Sequence, residues 1–389
     1  MKDTPQTLVQ TPQTYAVQMS PPDTLPLMAL QTYVNRIIER RETLSRSDAR
    51  ALLEEVLAGD TSPDSPASPR FMLLAALLSS LALRGEDAAE IAGFVDAMRA
   101  AATPVPLDQA ERDLLVDSCG TGADLSGTYN ISTAAALVAA AAGATVAKHG
   151  NRAVTSKSGS ADVLEALGIP IALTPADGAA ALRRHRFAFL HAAALHPAMK
   201  AVMPVRRALG IRTIFHLVGP LSNPAGARAQ VMGVYSVRLV PIVANAMRLL
   251  DVRHAFVVHG ASGTESNSGI DELSISGPSH IAEVRGDSVT FFSLTPQQVG
   301  LASAPIDSLR GGDAVANAAI LRSIFAGEPG PRRDIVLLNA AAVLIAAGVV
   351  PSPIPGSHEA FRAAIALAAN AIDSGAVAAL VTALAETEP

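Results

Sequence analysis

Cysteine is nearly absent from this sequence of 389 residues, which contains Cys119 alone. A single cysteine excludes an internal disulfide and fits a reducing compartment. No histidine and acid that could activate the thiol are identifiable from the sequence. The preferred interpretation is therefore a small residue packed under a loop. We predict no thiol chemistry at this position.

Charged residues and long apolar runs are also scarce. Charged side chains make up 17% of the chain and the net charge is −5. Because general nucleic-acid binders are more often basic, non-specific DNA binding is disfavoured. The longest apolar run, residues 335–350, is shorter than a usual membrane span and carries Asn339, which predicts a buried helix. No secretory signal is visible, and we expect a cytoplasmic protein.

The length of the chain favours two domains. Residues 1–24 repeat the motif TPQT and contain little to bury, which predicts a disordered tail. Residues 25–103 show apolar positions at helical spacing, which favours a small helical domain whose excess apolar surface could serve a dimer. Residues 104–389 are predicted to form a larger α/β domain.

Buried-type strands alternate with helices from Leu114 onward. This order predicts an α/β fold with a mainly parallel central sheet flanked by helices, in which ligands bind at the carboxyl ends of the strands. The predicted parallel strands are residues 114–118, 144–150, 169–173, 187–192, 230–236 and 254–260. Residues 272–277 and 280–294 are predicted to form antiparallel strands, and the chain from Ala314 onward is predicted to be helical.

Residues 117–168 combine features suited to a phosphorylated substrate. A glycine turn and a helix start present backbone N–H groups to phosphate oxygens. Lys148 and Arg152 can add positive charge from the end of the next strand. The turn and helix-start residues are Gly120, Gly122, Gly127, Ser132 and Thr133. They could simply form turns and caps, but the whole ordered string favours a phosphate site.

Two further charged features suit the same chemistry. The pair Asp271–Glu272 follows the predicted strand 254–260. Mg²⁺ prefers oxygen ligands and often binds through one or two carboxylates plus substrate phosphates. Taken alone, such a pair more often belongs to a solvated loop or a helix start, but its position after this strand favours the metal role. Arg206 offers a planar fork for a substrate carboxylate, although its neighbour Arg207 could take that role.

Taken together, the motifs resemble the anthranilate phosphoribosyltransferase family of tryptophan synthesis, from about residue 25 to the C-terminus. The motifs are GTGAD (120–124), GTYNIST (127–133), KHGNRAVTSKSGSADVLEALG (148–168), HPAMKAVMPVRRALGIRTIF (196–215), GPLSNPA (219–225) and GIDELS (269–274). The resemblance implies a helical domain with a later contribution from about residues 196–212. It also implies a hinge, a homodimer formed through the helical part, and Mg²⁺ as cofactor.

The resemblance also implies roles for individual residues, with phosphoribosyl pyrophosphate as donor and anthranilate as acceptor. The implied donor contacts are Gly120, Asp124, Thr128, Asn130, Ser132, Thr133, Lys148, Asn151, Arg152, Ser156 and Ser160. The implied acceptor contacts are Gly120, Asn151 and Arg206, and the implied metal ligands are Ser132, Asp271 and Glu272.

The sequence departs from the family pattern at several places. Ala123 stands where a glycine is usual, His216 stands where an asparagine is usual, and residues 187–195 and 261–268 differ in composition or length. These departures leave two alternatives beside the leading prediction. One is a paralogue that uses the same donor with another aromatic amine, or related phosphorylase chemistry. The other is a non-catalytic relative that binds nucleic acid.

Overall fold

The structure is a computed structural model that describes residues 24–59, 68–122, 124–153, 157–263 and 269–387. The predicted tail, residues 1–24, lies outside these residues except for Thr24, which begins the first helix. Ala123, Ser156 and most of the 261–268 loop also lie outside them. The roles predicted for these residues stay predictions.

The described chain begins with four helices that pack together. Sequence signals set their starts: Ser45 and Ser68 each accept a hydrogen bond from a backbone N–H three residues later, and Asp87 accepts one from the N–H of Ala89. The helices are α1 (Thr24–Ile38), α2 (Arg46–Ala58), α3 (Pro69–Arg84) and α4 (Ala88–Ala100). Their buried faces form one hydrophobic cluster with α10 (Met203–Leu209), α11 (Phe215–Leu221) and α12 (Leu239–Leu249).

The second part of the chain is an eight-stranded sheet. Its order is β3-β2-β1-β4-β5-β7-β8, with β6 paired to β5. The strands are β1 (Leu115–Gly120), β2 (Thr145–Gly150), β3 (Phe187–His191), β4 (Ala229–Gly233), β5 (His254–Ala261), β6 (Gly269–Ile270), β7 (Ser279–Arg285) and β8 (Ser288–Leu294). Strands β1 to β5 pair in parallel, whereas β6, β7 and β8 are antiparallel.

Helices cover both faces of this sheet. One face shares the hydrophobic cluster of the N-terminal helices, and the other packs mainly on α6 and α14. The remaining helices are α5 (Gln109–Leu114), α6 (Ile131–Ala141), α7 (Ser160–Ala166), α8 (Pro175–His185), α9 (Ala192–Leu195), α13 (Ala314–Phe325), α14 (Pro331–Ala346), α15 (His358–Asp373) and α16 (Ala376–Ala385). The buried helix predicted for residues 335–350 is confirmed as the greater part of α14, which ends at Ala346.

Two predicted strands are wrong. Residues 169–173 are not a strand, although Ile169 and Ile171 are buried. Pro170 lacks the N–H that a sheet ladder needs. Residues 272–277 are also irregular, because side chains satisfy their backbone groups: Ser279 Oγ, for example, accepts from the N–H of Ser274.

Ser160, an implied donor contact, is the first residue of α7. The carboxylate of Asp162 accepts hydrogen bonds from the N–H groups of Gly159 and Ala153 at this end.

Among the described residues, no single helix is both long enough and apolar enough to cross a membrane. Helices α15 and α16 meet that test only as a pair, bent by 62° at their junction.

Candidate active site

Three parallel strands end in glycine at one rim of the sheet. Strand β1 ends at Gly120, β2 at Gly150 and β4 at Gly233. The chain after β1 then turns through Gly122 and Gly127, which have φ angles of +64° and +69°. Few residues other than glycine adopt such angles without strain. The turn leads into α6, whose N-terminus therefore faces the same rim.

Asp271 lies directly over the glycine turn. Its Oδ2 accepts a hydrogen bond of 2.7 Å from the N–H of Gly122, and its own N–H lies 3.4 Å from Asp124 Oδ2. A Cβ atom on Gly120 would overlap the carboxylate of Asp271, and one on Gly233 would overlap its carbonyl. The glycines at these strand ends therefore make room for an acidic residue from a distant part of the chain.

Glu272 contacts the start of α6. Its Oε1 accepts a 2.9 Å hydrogen bond from the N–H of Ser132, where the helix dipole favours negative charge. Lys148 lies on the other side of Ser132: its Nζ donates to the carbonyl of Ser118 and lies 3.4 Å from Ser132 Oγ. The predicted residues Ser132, Lys148, Asp271 and Glu272 thus lie together, although they are separated in sequence.

The acids of this group crowd together, and the charge of Lys148 offsets their repulsion only in part. Desolvation raises the pKa of Asp271 well above its usual range, and the nearby Asp124 and Glu272 raise it further. Desolvation also raises the pKa of Glu272 to about 7, although Lys148 opposes this. Burial lowers the pKa of Lys148, while Asp117 and Glu272 act to raise it. A divalent cation at this point would relieve the repulsion between the carboxylates.

A second group of predicted residues surrounds Asn130. The Nδ2 atom of Asn130 donates to the carbonyl of Ser158 at 3.1 Å, and its Oδ1 accepts from Asn317 Nδ2 at 2.9 Å. Thr128 lies on the same loop, with its hydroxyl 3.2 Å from that of Ser126. These contacts join the loop before α6 to the loop before α7.

Three other predicted donor residues are placed differently. Arg152 is exposed and forms ion pairs with Asp162 and Glu165 of α7, which raise its pKa. Thr133 is fully buried, and its hydroxyl has no hydrogen-bond partner among the described residues. Asn151 is exposed at the end of β2, with Oδ1 3.3 Å from His191 Nε2. In this arrangement Arg152 and Thr133 do not join the group around Lys148.

Arg206 lies apart from both groups, on α10. Its guanidinium lies 5.5 Å from the ring centre of Phe215, and Nη1 is 3.7 Å from Met203 Sδ. Burial lowers its pKa. Among the described residues no carboxylate forms an ion pair with it, whereas its neighbour Arg207 is exposed. A partly buried cation without a protein counter-ion suits an anionic ligand.

Two buried histidines, His149 in β2 and His196, lie next to each other. The rings of His149 and His196 are 5.1 Å apart between centres. Burial lowers the pKa of His149 to about 3 and that of His196 to about 4. Both are therefore neutral at pH 7.

His216, which stands where the family usually has asparagine, has a local contact. Its Nδ1 lies 3.1 Å from both the N and the O of Thr213.

Sequence reasoning missed several residues that position this site. Asp117 accepts hydrogen bonds from the N–H of His149 and from Asn223 Nδ2, and burial raises its pKa to about 6. Asn317 contacts Asn130, as described above. Asn223 belongs to the quoted GPLSNPA motif, which was a usable signal, whereas Asn317 is one asparagine in a predicted helical region.

The predicted metal ligands fit Mg²⁺ in chemistry. Among the described residues, no three acidic, histidine or cysteine side chains converge as a complete metal site. Mg²⁺ does not need such a set, because it binds through one or two carboxylates together with substrate phosphates and water. Asp271, Glu272 and the Ser132 hydroxyl offer oxygen ligands of this kind.

The fold and this rim together define a class: an α/β protein with a helical bundle and a cluster of charged side chains at the strand ends. Two family models match it, described as "Glycosyl transferase family, a/b domain" over residues 112–378 and "Glycosyl transferase family, helical bundle domain" over residues 31–102. Both expected parts of the fold are therefore present.

Curated relatives of this chain narrow the class further. The anthranilate phosphoribosyltransferases of Brevibacillus brevis and Chloroflexus aggregans are 46% and 45% identical to this chain, covering 89% and 90% of it and 94% and 95% of their own lengths. The chain therefore belongs to the anthranilate phosphoribosyltransferase family. The resemblance predicted from the motifs is confirmed.

Solved structures agree with this assignment. The anthranilate phosphoribosyltransferase of Thermus thermophilus is 40% identical, with a TM-score of 0.79, covering 92% of this chain and 98% of its own. The Saccharomyces cerevisiae protein, solved in complex with PRPP and Mg, is 26% identical, also with a TM-score of 0.79, covering 91% of this chain and 96% of its own. The predicted fold class is confirmed.

Proposed function

We propose that this protein transfers the 5-phosphoribosyl group of phosphoribosyl pyrophosphate to the amine of anthranilate. The products are N-(5-phosphoribosyl)anthranilate and pyrophosphate, and the step belongs to tryptophan biosynthesis. The observation that carries the proposal is the meeting of Lys148, the Ser132 N–H and the Asp271–Glu272 pair beside the glycine turn. The names of relatives that are 45% to 46% identical support the same substrates.

The donor side must stabilise a leaving group that departs with high negative charge. Asp271, Glu272 and Ser132 would hold Mg²⁺, which when bound supplies positive charge to the pyrophosphate oxygens. Lys148 adds an ammonium group beside Ser132, and the N–H of Gly122 holds the Asp271 carboxylate in place. Such groups are most effective when they are aligned before the reaction, because they need little reorganisation during it.

The acceptor side needs no strong base. An aromatic amine is largely neutral at pH 7, so its nitrogen can attack C1 of the ribose directly. His149 and His196 are neutral at this pH and are not assigned as bases. Arg206 would bind the acceptor carboxylate, and Asn151 would orient the amine. Positioning of the amine against C1 of the ribose would then contribute most of the rate enhancement on the acceptor side.

The direct test is turnover by the purified protein with Mg²⁺ and phosphoribosyl pyrophosphate, followed by the loss of anthranilate fluorescence. A panel of other aromatic amines is tested in parallel. Turnover of anthranilate is expected. Turnover of another amine alone would select the paralogue, and DNA binding without any turnover would select the non-catalytic relative.

Arg206→Ala tests the acceptor assignment, with Arg207→Ala as its matched control. Loss of a charged hydrogen-bonding partner should raise the KM for anthranilate about 10- to 100-fold, since such bonds contribute roughly 1.5–3 kcal/mol. The KM for the donor should change much less, and Arg207→Ala should leave both values near those of the wild type. Equal losses for both substrates would contradict the assignment.

We further propose a cytoplasmic homodimer formed through the helical part. Support for the dimer comes from α3, where Met72 and Leu83 are 55% and 91% exposed. They are eleven residues apart, about three turns, and so lie on one face of the helix. Support for the location comes from the free, buried thiol of Cys119 and the biosynthetic role of the relatives.

A further inference from the structure

Asn339 is a polar side chain inside a long buried apolar stretch of α14. It lies in the middle of α14, where every residue from Ile335 to Ala346 is buried, and it is itself 2% exposed. It is the one polar residue in that stretch. Burying an amide is unfavourable unless all its groups are hydrogen-bonded, so its partners indicate what it does.

Two of the hydrogen bonds of the Asn339 side chain go to the backbone N–H and carbonyl of a single residue, Leu273. Its Oδ1 accepts from the N–H of Leu273 at 2.9 Å, and its Nδ2 donates to the carbonyl of Leu273 at 2.9 Å. A second Nδ2 bond of 2.9 Å goes to the carbonyl of Ile335 in its own helix. Leu273 lies in an irregular segment without a strand partner. The Asn339 amide therefore makes the pair of bonds that a neighbouring strand would otherwise make.

Leu273 immediately follows the Asp271–Glu272 pair. The carboxylates of that pair accept hydrogen bonds from the N–H groups of Gly122 and Ser132. The backbone of the next residue, Leu273, is hydrogen-bonded to Asn339, which lies on a helix that packs against α6 and the sheet. Acidic side chains can aim at one point only if the peptide that carries them is fixed.

We propose that Asn339 is a positioning residue for the Asp271–Glu272 carboxylates. It fixes the backbone of Leu273 and thereby sets the direction of both acidic side chains toward the glycine turn. Because the use of these carboxylates in the reaction rests on the proposed function, part of the test does not depend on turnover.

The first test needs no variant and no ligand. Hydrogen exchange of the ligand-free wild type is followed at the Leu273 amide, with the amides of β5 as reference. The expected result is exchange as slow as in β5, although Leu273 is not in a strand. Fast exchange at Leu273 would overturn the proposal whatever reaction the protein catalyses.

The second test compares Asn339→Ala with Leu344→Ala, a change on the same helix at a buried residue with no polar contact. Both should lower the melting temperature. Only Asn339→Ala should speed exchange across residues 269–277, and only it should raise the Mg²⁺ concentration for half-maximal donor binding about 10- to 100-fold in calorimetry. Equal effects of the two changes, or an unchanged Mg²⁺ requirement in Asn339→Ala, would reduce Asn339 to a structural role and overturn the proposal.

A turnover assay distinguishes a failure of this inference from a failure of the proposed function. The wild type could bind the donor with Mg²⁺ and yet leave anthranilate unchanged. That result would reject the proposed acceptor, and the role of Asn339 would still be decided by the exchange and calorimetry measurements. Asn339→Asp provides a further check if the alanine change does not fold. It keeps the acceptor for the Leu273 N–H but places an oxygen against the Leu273 carbonyl, and it should also weaken Mg²⁺-dependent donor binding.

Discussion

At the scale of single residues, the site depends on charges that are costly without their partners. The ammonium of Lys148 is 1% exposed and lies between Asp117 and Glu272, which both favour its charged form. Asp117 in turn accepts hydrogen bonds from His149 and Asn223. Each of these groups would be unfavourable alone in the interior. Together they keep Lys148, Asp117 and Glu272 side by side at the strand ends.

The raised pKa of Glu272 gives a prediction with a definite sign. Its folded pKa of about 7 lies above the ordinary value of 4.5. The folded state therefore holds this proton more tightly than the unfolded state does. Its contribution to stability is fully present at low pH and is lost as the pH rises from about 4.5 to about 7.

Glu272→Gln removes this titration, and it also removes one of the charges that raise the pKa of Asp271. We expect the free energy of unfolding of the ligand-free wild type to fall relative to the variant over that pH interval, by at most about 3 kcal/mol, and then to level off. Denaturant unfolding at pH 5, 6, 7 and 8 measures the difference. His149, His196 and Asp117 are common to both proteins, so their titrations largely cancel. A pH-independent difference would show that Glu272 ionises normally.

At the scale of elements, the sequence predicted most strands and helices because apolar alternation, caps and glycines are local signals. Ser45 and Thr174, for example, cap α2 and α8 by accepting hydrogen bonds from backbone N–H groups three residues later. The wrong strand at residues 169–173 had the right apolar pattern but contained Pro170. The contacts of Asn317 and Asn339 could not be predicted, because they join segments 187 and 66 residues apart, and a single sequence does not show such pairings.

Helix α13 provides a test of one such long-range contact. Asn317 Nδ2 donates to Asn130 Oδ1, and Asn317 Oδ1 accepts from the N–H of Gly312 at 2.7 Å. Asn317→Ala removes both bonds and leaves the Asn130 side chain with its contacts to Ser158, and so less firmly held. We expect the KM for phosphoribosyl pyrophosphate to rise about tenfold, which corresponds to a single hydrogen bond of about 1.4 kcal/mol.

The KM for anthranilate should change little in this variant. Steady-state kinetics with each substrate varied in turn measure the two values. Leu321→Ala, a fully buried position on the same helix, controls for loss of stability. A similar rise in the donor KM in Leu321→Ala would mean that α13 acts only through packing.

At the scale of the whole molecule, the helical part and the sheet share one hydrophobic cluster. It includes Leu52 and Phe94 from the helices and Val257 from β5. Arg46 and Arg99 also cross between the two parts and donate to the carbonyls of Leu249 and Leu221. Two regions that share a core are expected to unfold together. The motion available to a hinge is therefore an adjustment at this packed boundary and not a separation of the two parts.

The exposed face of α3 gives the last prediction. Met72 and Leu83 present large apolar side chains to solvent in the single chain, and a partner copy would bury them. We expect the wild type to sediment at twice the chain mass of 40.0 kDa. Met72→Asp with Leu83→Asp should shift it to the mass of one chain, because two buried carboxylates without partners oppose association.

Ile354→Asp is the matched control, since Ile354 is 67% exposed but lies outside the helical part. It should leave the sedimentation unchanged. Circular dichroism of all three proteins checks that the single chains remain folded, as is expected because both α3 positions already face solvent. Wild-type protein that sediments as a single chain would reject the dimer. An equal shift in Ile354→Asp would mean that association does not depend on α3, because a charge on a remote apolar surface would then disrupt it as well.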